Sequence, residues 1–169
     1  MTRYALRTSA EEATVAAGRA LAPLLQSGDV ILLSGDLGAG KTCLARGIAE
    51  GLGVGHPVTS PTFNILLVHP GRVFMNHFDL YRLDSPLQLE DIDYWGTLEA
   101  GGVSVVEWGD RFAESIPEDR LIVAMTITGD EERLFDLDAC GGRSERLASA
   151  WIEACSSIAG ATLEGGGQP

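Results

Sequence analysis

With 169 residues the chain fits one domain, long enough to bury about two-thirds of its unfolded surface in a single core without disulfide or metal staples. Twelve basic residues stand against twenty-four acidic ones, and the net charge of −12 opposes any sequence-independent grip on nucleic acid. The N-terminus lacks a signal-peptide apolar core, no apolar run reaches membrane-spanning length, and cysteines 43, 140 and 155 have neither even parity nor metal-ligand spacing, so a cytoplasmic protein without membrane contact is expected.

In chain order, Thr2 to Leu6 reads as a first short strand. Ser9-Ala-Glu-Glu12 looks like a capping box opening a helix to about Leu25, with Ala13, Ala16, Ala17, Ala20, Leu21 and Leu24 as its apolar face. Glu11 and Glu12 read as solvated first-turn acids, with approach of Glu11, Glu12 and Thr14 to a nucleotide base as the alternative. Val30 to Leu33 is a buried-strand run, followed by a glycine-rich turn and a helix with Leu44, Ile48 and Leu52 on one face.

That turn, Gly35-Asp36-Leu37-Gly38-Ala39-Gly40-Lys41-Thr42, matches the phosphate-binding pattern G-x-x-x-x-G-K-[ST] in the strand–loop–helix setting the pattern requires. The glycines let successive backbone N–H groups close on phosphate oxygens, and the helix end adds its partial positive charge. Lys41 supplies a mobile charge for the terminal phosphates, Thr42 a hard oxygen suited to Mg²⁺, and Cys43 continues the binding turn. Its place in the first helical turn is expected to favour the Cys43 thiolate.

Beyond Gly53, a loop carrying Ser60, Pro61 and Thr62 leads to Asn64–His69, and Pro70-Gly71 turns the chain back through Val73–Tyr81 as an antiparallel hairpin. Period two puts His77, Asp79 and Tyr81 on one face, Phe78 and Leu80 on the other. Ser85 to Leu98 reads as an acidic, helical crossover. Val103, Val105 and Val106 then bury a strand that ends in Glu107 and Trp108, and a carboxylate at a strand's carboxyl end beside a P-loop suits work on Mg²⁺ or water. Leu121–Thr128 and Arg133–Ala139 suggest a second hairpin, Ser144–Ile158 a helix packed through Leu147, Trp151, Cys155 and Ile158, and Leu163–Pro169 a mobile tail.

The expectation is a single-domain α/β P-loop NTPase fold over residues 1–160 with a flexible tail at 161–169. Its sheet is mixed and largely parallel, flanked by helices and extended by antiparallel hairpins.

Four motifs in order, Gly-Asp-Leu-Gly-Ala-Gly-Lys-Thr at 35–42, Ser-Pro-Thr-Phe at 60–63, His-Phe-Asp-Leu-Tyr-Arg-Leu at 77–83 and Val-Glu-Trp at 106–108, resemble the signature of the TsaE (YjeE) family. The resemblance spans about Ser9 to Arg120. It implies an ATPase of tRNA threonylcarbamoyladenosine biosynthesis that uses ATP and Mg²⁺, works with TsaD and TsaB, and meets tRNA only through them. It also implies that Lys41 and Thr42 are the P-loop lysine and Mg²⁺ ligand, that Ser60, Pro61 and Thr62 form a switch-like partner loop, and that Asp79 and Glu107 order Mg²⁺ and the attacking water. Trp108, His77, Tyr81, Arg82 and Arg111 would line the site. Cys43 stands where a second Thr is more usual in the family, and Asp93 where a Gly is common. Two other classes stay open from the residues themselves: a small-molecule kinase, and a nucleotide-dependent binding module without turnover.

Overall fold

A computed structural model describes residues 2–164, in which one eight-stranded sheet runs β3-β4-β5-β2-β6-β7-β1-β8. The strands are β1 (Thr2–Thr8), β2 (Val30–Ser34), β3 (Leu66–His69), β4 (Met75–Asp79), β5 (Val103–Glu107), β6 (Arg120–Ile127), β7 (Arg133–Cys140) and β8 (Ala161–Glu164). Only β4, β5, β2 and β6 run parallel, while β3, β7, β1 and β8 pair antiparallel. The sheet is therefore mixed, with its parallel part confined to four adjacent strands, the second to the fifth. The parallel strands β4, β5 and β2 are buried runs because helices or loops cover both faces, as crossover connections require.

One face is covered by α1 (Glu11–Leu21), α2 (Lys41–Gly51) and α5 (Gly142–Cys155), over a core that includes Leu6, Ile31, Leu33, Leu44, Ile48, Val105, Val123, Phe135 and Trp151. The other is covered by α3 (Gln88–Asp91), α4 (Tyr94–Glu99) and the 3-10 segment Gly109–Ser115, over Leu32, Phe78, Leu80, Tyr94 and Val106. The expected alternation holds in β4, with Phe78 in this second core and Met75 in the first. Leu147, Trp151 and Cys155 are buried as their spacing implies, and the Trp151 indole donates to Ala17 O across 2.8 Å.

Five sequence expectations are corrected here. The residue before α1 is Ala10, with no side-chain cap; Ser9 is diverted to the turn before β8, where both its amide and its hydroxyl donate to Gly160 O. The helix stops at Leu21 and a 3-10 turn over Ala22–Leu24 follows, where Pro23 has no N–H for an α-helical bond. The inner face of α1 also includes Gly18, packed against α2: a Cβ on Gly18 would lie 2.5 Å from Leu44 O and one on Gly47 2.2 Å from Val15 O. The crossover over residues 85–98 is two short helices, broken at Asp93, whose φ of 50° lies in the left-handed region that favours glycine. Finally, β8 (Ala161–Glu164) lies wholly inside the tail expected at 161–169; residues 165–169 lie outside the described residues.

Candidate functional site

β4, β5 and β2 are adjacent and parallel, so their carboxyl ends share one edge of the sheet. The register pairs Asp79 with Glu107 and Glu107 with Leu33, one residue before β2 ends at Ser34 and the P-loop begins. Because α2 covers the sheet face on which Glu107 stands, its first turn brings Thr42 Oγ1 to 3.3 Å from Glu107 Oε1. Local sequence could place each acid at a strand end; their adjacency comes from strand order.

The P-loop turns at Gly35, Gly38 and Gly40, all at positive φ. At Gly35 a Cβ would sit 2.3 Å from Met125 O at the end of β6, so this glycine is demanded by sterics as well as by conformation. Lys41 is 5% exposed and its Nζ donates to Gly35 O at 2.6 Å and Asp36 O at 2.9 Å while lying 4.2 Å from the centre of the Trp108 ring. Burial draws its pKa below the ordinary lysine value, opposed by the charges of Glu107 and Asp79.

The two acids are held differently. Asp79 Oδ2 accepts from Thr62 at 2.7 Å and from Ser60 at 3.0 Å, and Oδ1 accepts from the Tyr81 amide at 3.0 Å. Glu107 Oε1 accepts from Thr42 and lies 2.8 Å from His77 Nε2, whereas its second oxygen has no hydrogen bond among the described residues. Backbone strain flanks both. Ile65 and Trp108 have φ of 65° and 62°, costly for side chains of this bulk; Ile65 O accepts the Asp79 amide, and the Trp108 amide donates to Leu33 O.

A cavity of about 360 Å³ opens on this edge, lined by Leu37, Gly38, Gly40, Lys41, Thr42, Cys43, Ser60, Thr62, Asp79, Tyr81, Glu107 and Trp108. Of the remaining candidates, His77 is fully buried beneath Glu107. Arg82 and Arg111 are not in its lining: Arg82 sits 4.4 Å over the Phe63 ring, and Arg111 donates to Tyr81 O. Each finds a nearer partner than the cavity. Gly35, Asp36 and Ala39 belong to the loop's own frame, with Ala39 buried, and Pro61 accepts the amides of Asn64 and Ile65.

The thiolate expectation for Cys43 is overturned, because burial foremost and the Glu11 carboxylate next push this thiol up. A second cavity, of about 310 Å³, lies on the other side of the loop, where Glu11, Thr14 and Cys43 meet Asp130, Glu131 and Arg133. Arg133 was missed as a site residue. It belongs to the β6–β7 hairpin, donates to Gly38 O at 3.1 Å, and is brought to the P-loop by a sheet order that no local motif encodes.

Residues 8–135 match the family described as Threonylcarbamoyl adenosine biosynthesis protein TsaE. The tRNA threonylcarbamoyladenosine biosynthesis protein TsaE of Streptomyces coelicolor is 47% identical over 141 residues, which is 79% of this chain and 93% of that protein. Its namesake in Bacillus subtilis is 39% identical over 142 residues, 83% of this chain and 89% of that one. The crystal structure of Bacillus subtilis YdiB superposes with a TM-score of 0.76 at 33% identity, covering 90% of this chain and 97% of the other. The match holds the P-loop, the 60–62 loop and both carboxylates within one aligned span: the chain belongs to the TsaE family of threonylcarbamoyladenosine biosynthesis proteins.

Proposed function

We propose that the chain is the Mg²⁺-dependent ATPase component of the machinery that makes threonylcarbamoyladenosine in tRNA, acting with TsaD and TsaB homologues and meeting tRNA only through them. Family membership supports the pathway. The observation that carries the chemistry is the convergence on one cavity of Lys41, Thr42 and Glu107, with Thr42 Oγ1 and Glu107 Oε1 3.3 Å apart.

The donor set fits Mg²⁺: a hydroxyl and a carboxylate, all hard oxygens, with one Glu107 oxygen that no donor among the described residues occupies. Bound there, Mg²⁺ would neutralise charge between the terminal phosphates. Lys41 exchanges the carbonyls of Gly35 and Asp36 for phosphate oxygens, and the loop amides hold the rest. Glu107 orients the attacking water. Asp79, whose recorded bonds are to Ser60, Thr62 and Tyr81, acts by holding the switch-like loop against the site. The nucleoside end occupies the cavity between Glu11, Thr14 and Arg133.

With Arg82 and Arg111 engaged elsewhere, Lys41 is the cation in the lining of the phosphate-side cavity, so turnover of the isolated chain is slow and partner docking accelerates it. Following nucleotide products, with and without purified TsaD and TsaB homologues, tests this. Phosphate release that rises with the partners is expected. A phosphorylated small-molecule acceptor, or binding without any turnover in the presence of both partners, would overturn it.

A further inference from the structure

The β6–β7 turn reaches the phosphate loop through one side chain. Arg133 opens β7, and its guanidinium spans two segments far apart in sequence. Nη1 donates to the carbonyls of Gly129, Asp130 and Glu132 at 3.1, 3.2 and 2.8 Å, and Nη2 donates to Gly38 O at 3.1 Å. Its stem runs beside the loop as well, since a Cβ on Gly40 would lie 4.0 Å from Arg133 Cγ. A planar fork can hold two segments at once in this way, whereas the single nitrogen of a lysine cannot.

The apex of the loop has little else to steady it. Leu37 is 89% exposed, and a Cβ on Gly38 would meet nothing within 4 Å among the described residues, so packing does not fix this stretch. Hydrogen bonds do. The peptide joining Gly38 to Ala39 is held at both ends: its carbonyl accepts from Arg133, and its N–H donates to Asp36 O at 3.0 Å. A carbonyl and a phosphate oxygen are both acceptors, so Gly38 O can stay with Arg133 when the site fills, while Lys41 leaves Gly35 O and Asp36 O for phosphate. A glycine-rich loop is costly to order, and an ordering cost borne during folding is absent from the binding step.

We infer that Arg133 is a positioning residue of the phosphate site: it fixes the peptide between Gly38 and Ala39 before nucleotide arrives and so sets affinity for the polyphosphate. It does this through the geometry of its fork, not through its charge or a contact to the base. The effect on affinity rests on the phosphate-binding role proposed for the loop; the fixed peptide stands apart from it.

Arg133→Lys keeps the charge and most of the stem but breaks the fork, so it separates these roles. In calorimetry its Kd values for Mg-ATP and for Mg-tripolyphosphate, which has the phosphate chain without base or sugar, should rise by the same factor, about tenfold or more. In the nucleotide-free proteins the Ala39 amide should exchange slowly in the parent and about tenfold faster in Arg133→Lys, while the amides of β5 keep their protection. A variant that binds both ligands as the parent does would leave Arg133 acting as a charge, and a loss confined to Mg-ATP would make it a base contact; either result overturns the inference. Equal Ala39 exchange in the two proteins does so too. Should Arg133→Lys fail to fold, the parent decides, because an Ala39 amide exchanging there at an unprotected rate is equally fatal. A parent that binds neither ligand would strike the proposed function, and the Ala39 comparison alone would then decide whether Arg133 fixes the loop.

Discussion

At Lys41 burial and charge pull in opposite directions, the first lowering its pKa and the acids Glu107 and Asp79 restoring it. Its two carbonyl bonds lie within the P-loop itself, so Lys41→Ala should stay folded. Each charge-assisted bond to phosphate is worth about 1.5–3 kcal/mol, so Mg-ATP affinity should fall tenfold or more. Calorimetry giving an unchanged Kd in the folded variant would refute the phosphate-binding role. Glu107→Gln should instead keep most of the binding and lose turnover, because a positioned carboxylate matters most as charge develops. Equal hydrolysis by this variant and the parent would move the water-orienting role elsewhere. His69 makes a prediction about pH. Its folded pKa lies below the unfolded value of about 6.5, so as pH falls through about 6.5 the unfolded chain takes the proton first and stability declines, whereas above that range His69 adds no pH dependence. Urea midpoints between about pH 7.5 and 5 should therefore slope less in His69→Phe than in the parent. Parallel slopes would count against a neutral buried His69.

Two elements carry constraints of their own. The seam between α1 and α2 depends on Gly18 and Gly47, where backbone meets backbone; a Cβ at Gly47 would lie 2.2 Å from Val15 O. Alanine gains up to about 1 kcal/mol of helix propensity, but overpacking costs about 1–3 kcal/mol, so Gly47→Ala should be destabilising on balance. A urea midpoint at or above the parent's would show that the helices can part without loss. The 60–65 loop is tied down by Asp79 through Ser60 and Thr62 and carries a left-handed Ile65, so it is anchored at one residue and strained at another. Removing the anchor in Asp79→Ala should speed amide exchange across residues 60–65 and leave β5 protected. Unchanged exchange in the loop would mean that something other than Asp79 orders it.

Over the whole molecule a net charge of −12 sets the terms of association. A basic patch on a partner would meet it favourably, so stimulation of the ATPase by TsaD and TsaB homologues should weaken as salt rises toward a Debye length of a few ångströms. Full activity of the chain alone, with no gain and no complex at low salt, would leave a self-sufficient enzyme. The same scale separates what sequence decides from what it leaves open. The P-loop, the β3–β4 hairpin and the acids closing β4 and β5 were legible because each is written in a local period or a fixed spacing. Among the described residues no helix is long and apolar enough to cross a membrane, in line with the apolar runs of the chain. The pairing of β1 with both β7 and β8 was not legible, nor was the diversion of Ser9 to Gly160, the reach of Arg133 to Gly38, or the approach of His69 to His77. The sequence by itself determined which chemical groups are present and at which strand ends they stand. Tertiary structure alone decided which of them meet, because strand order and helix coverage come from burying two faces of one sheet at once, and no local pattern records that choice.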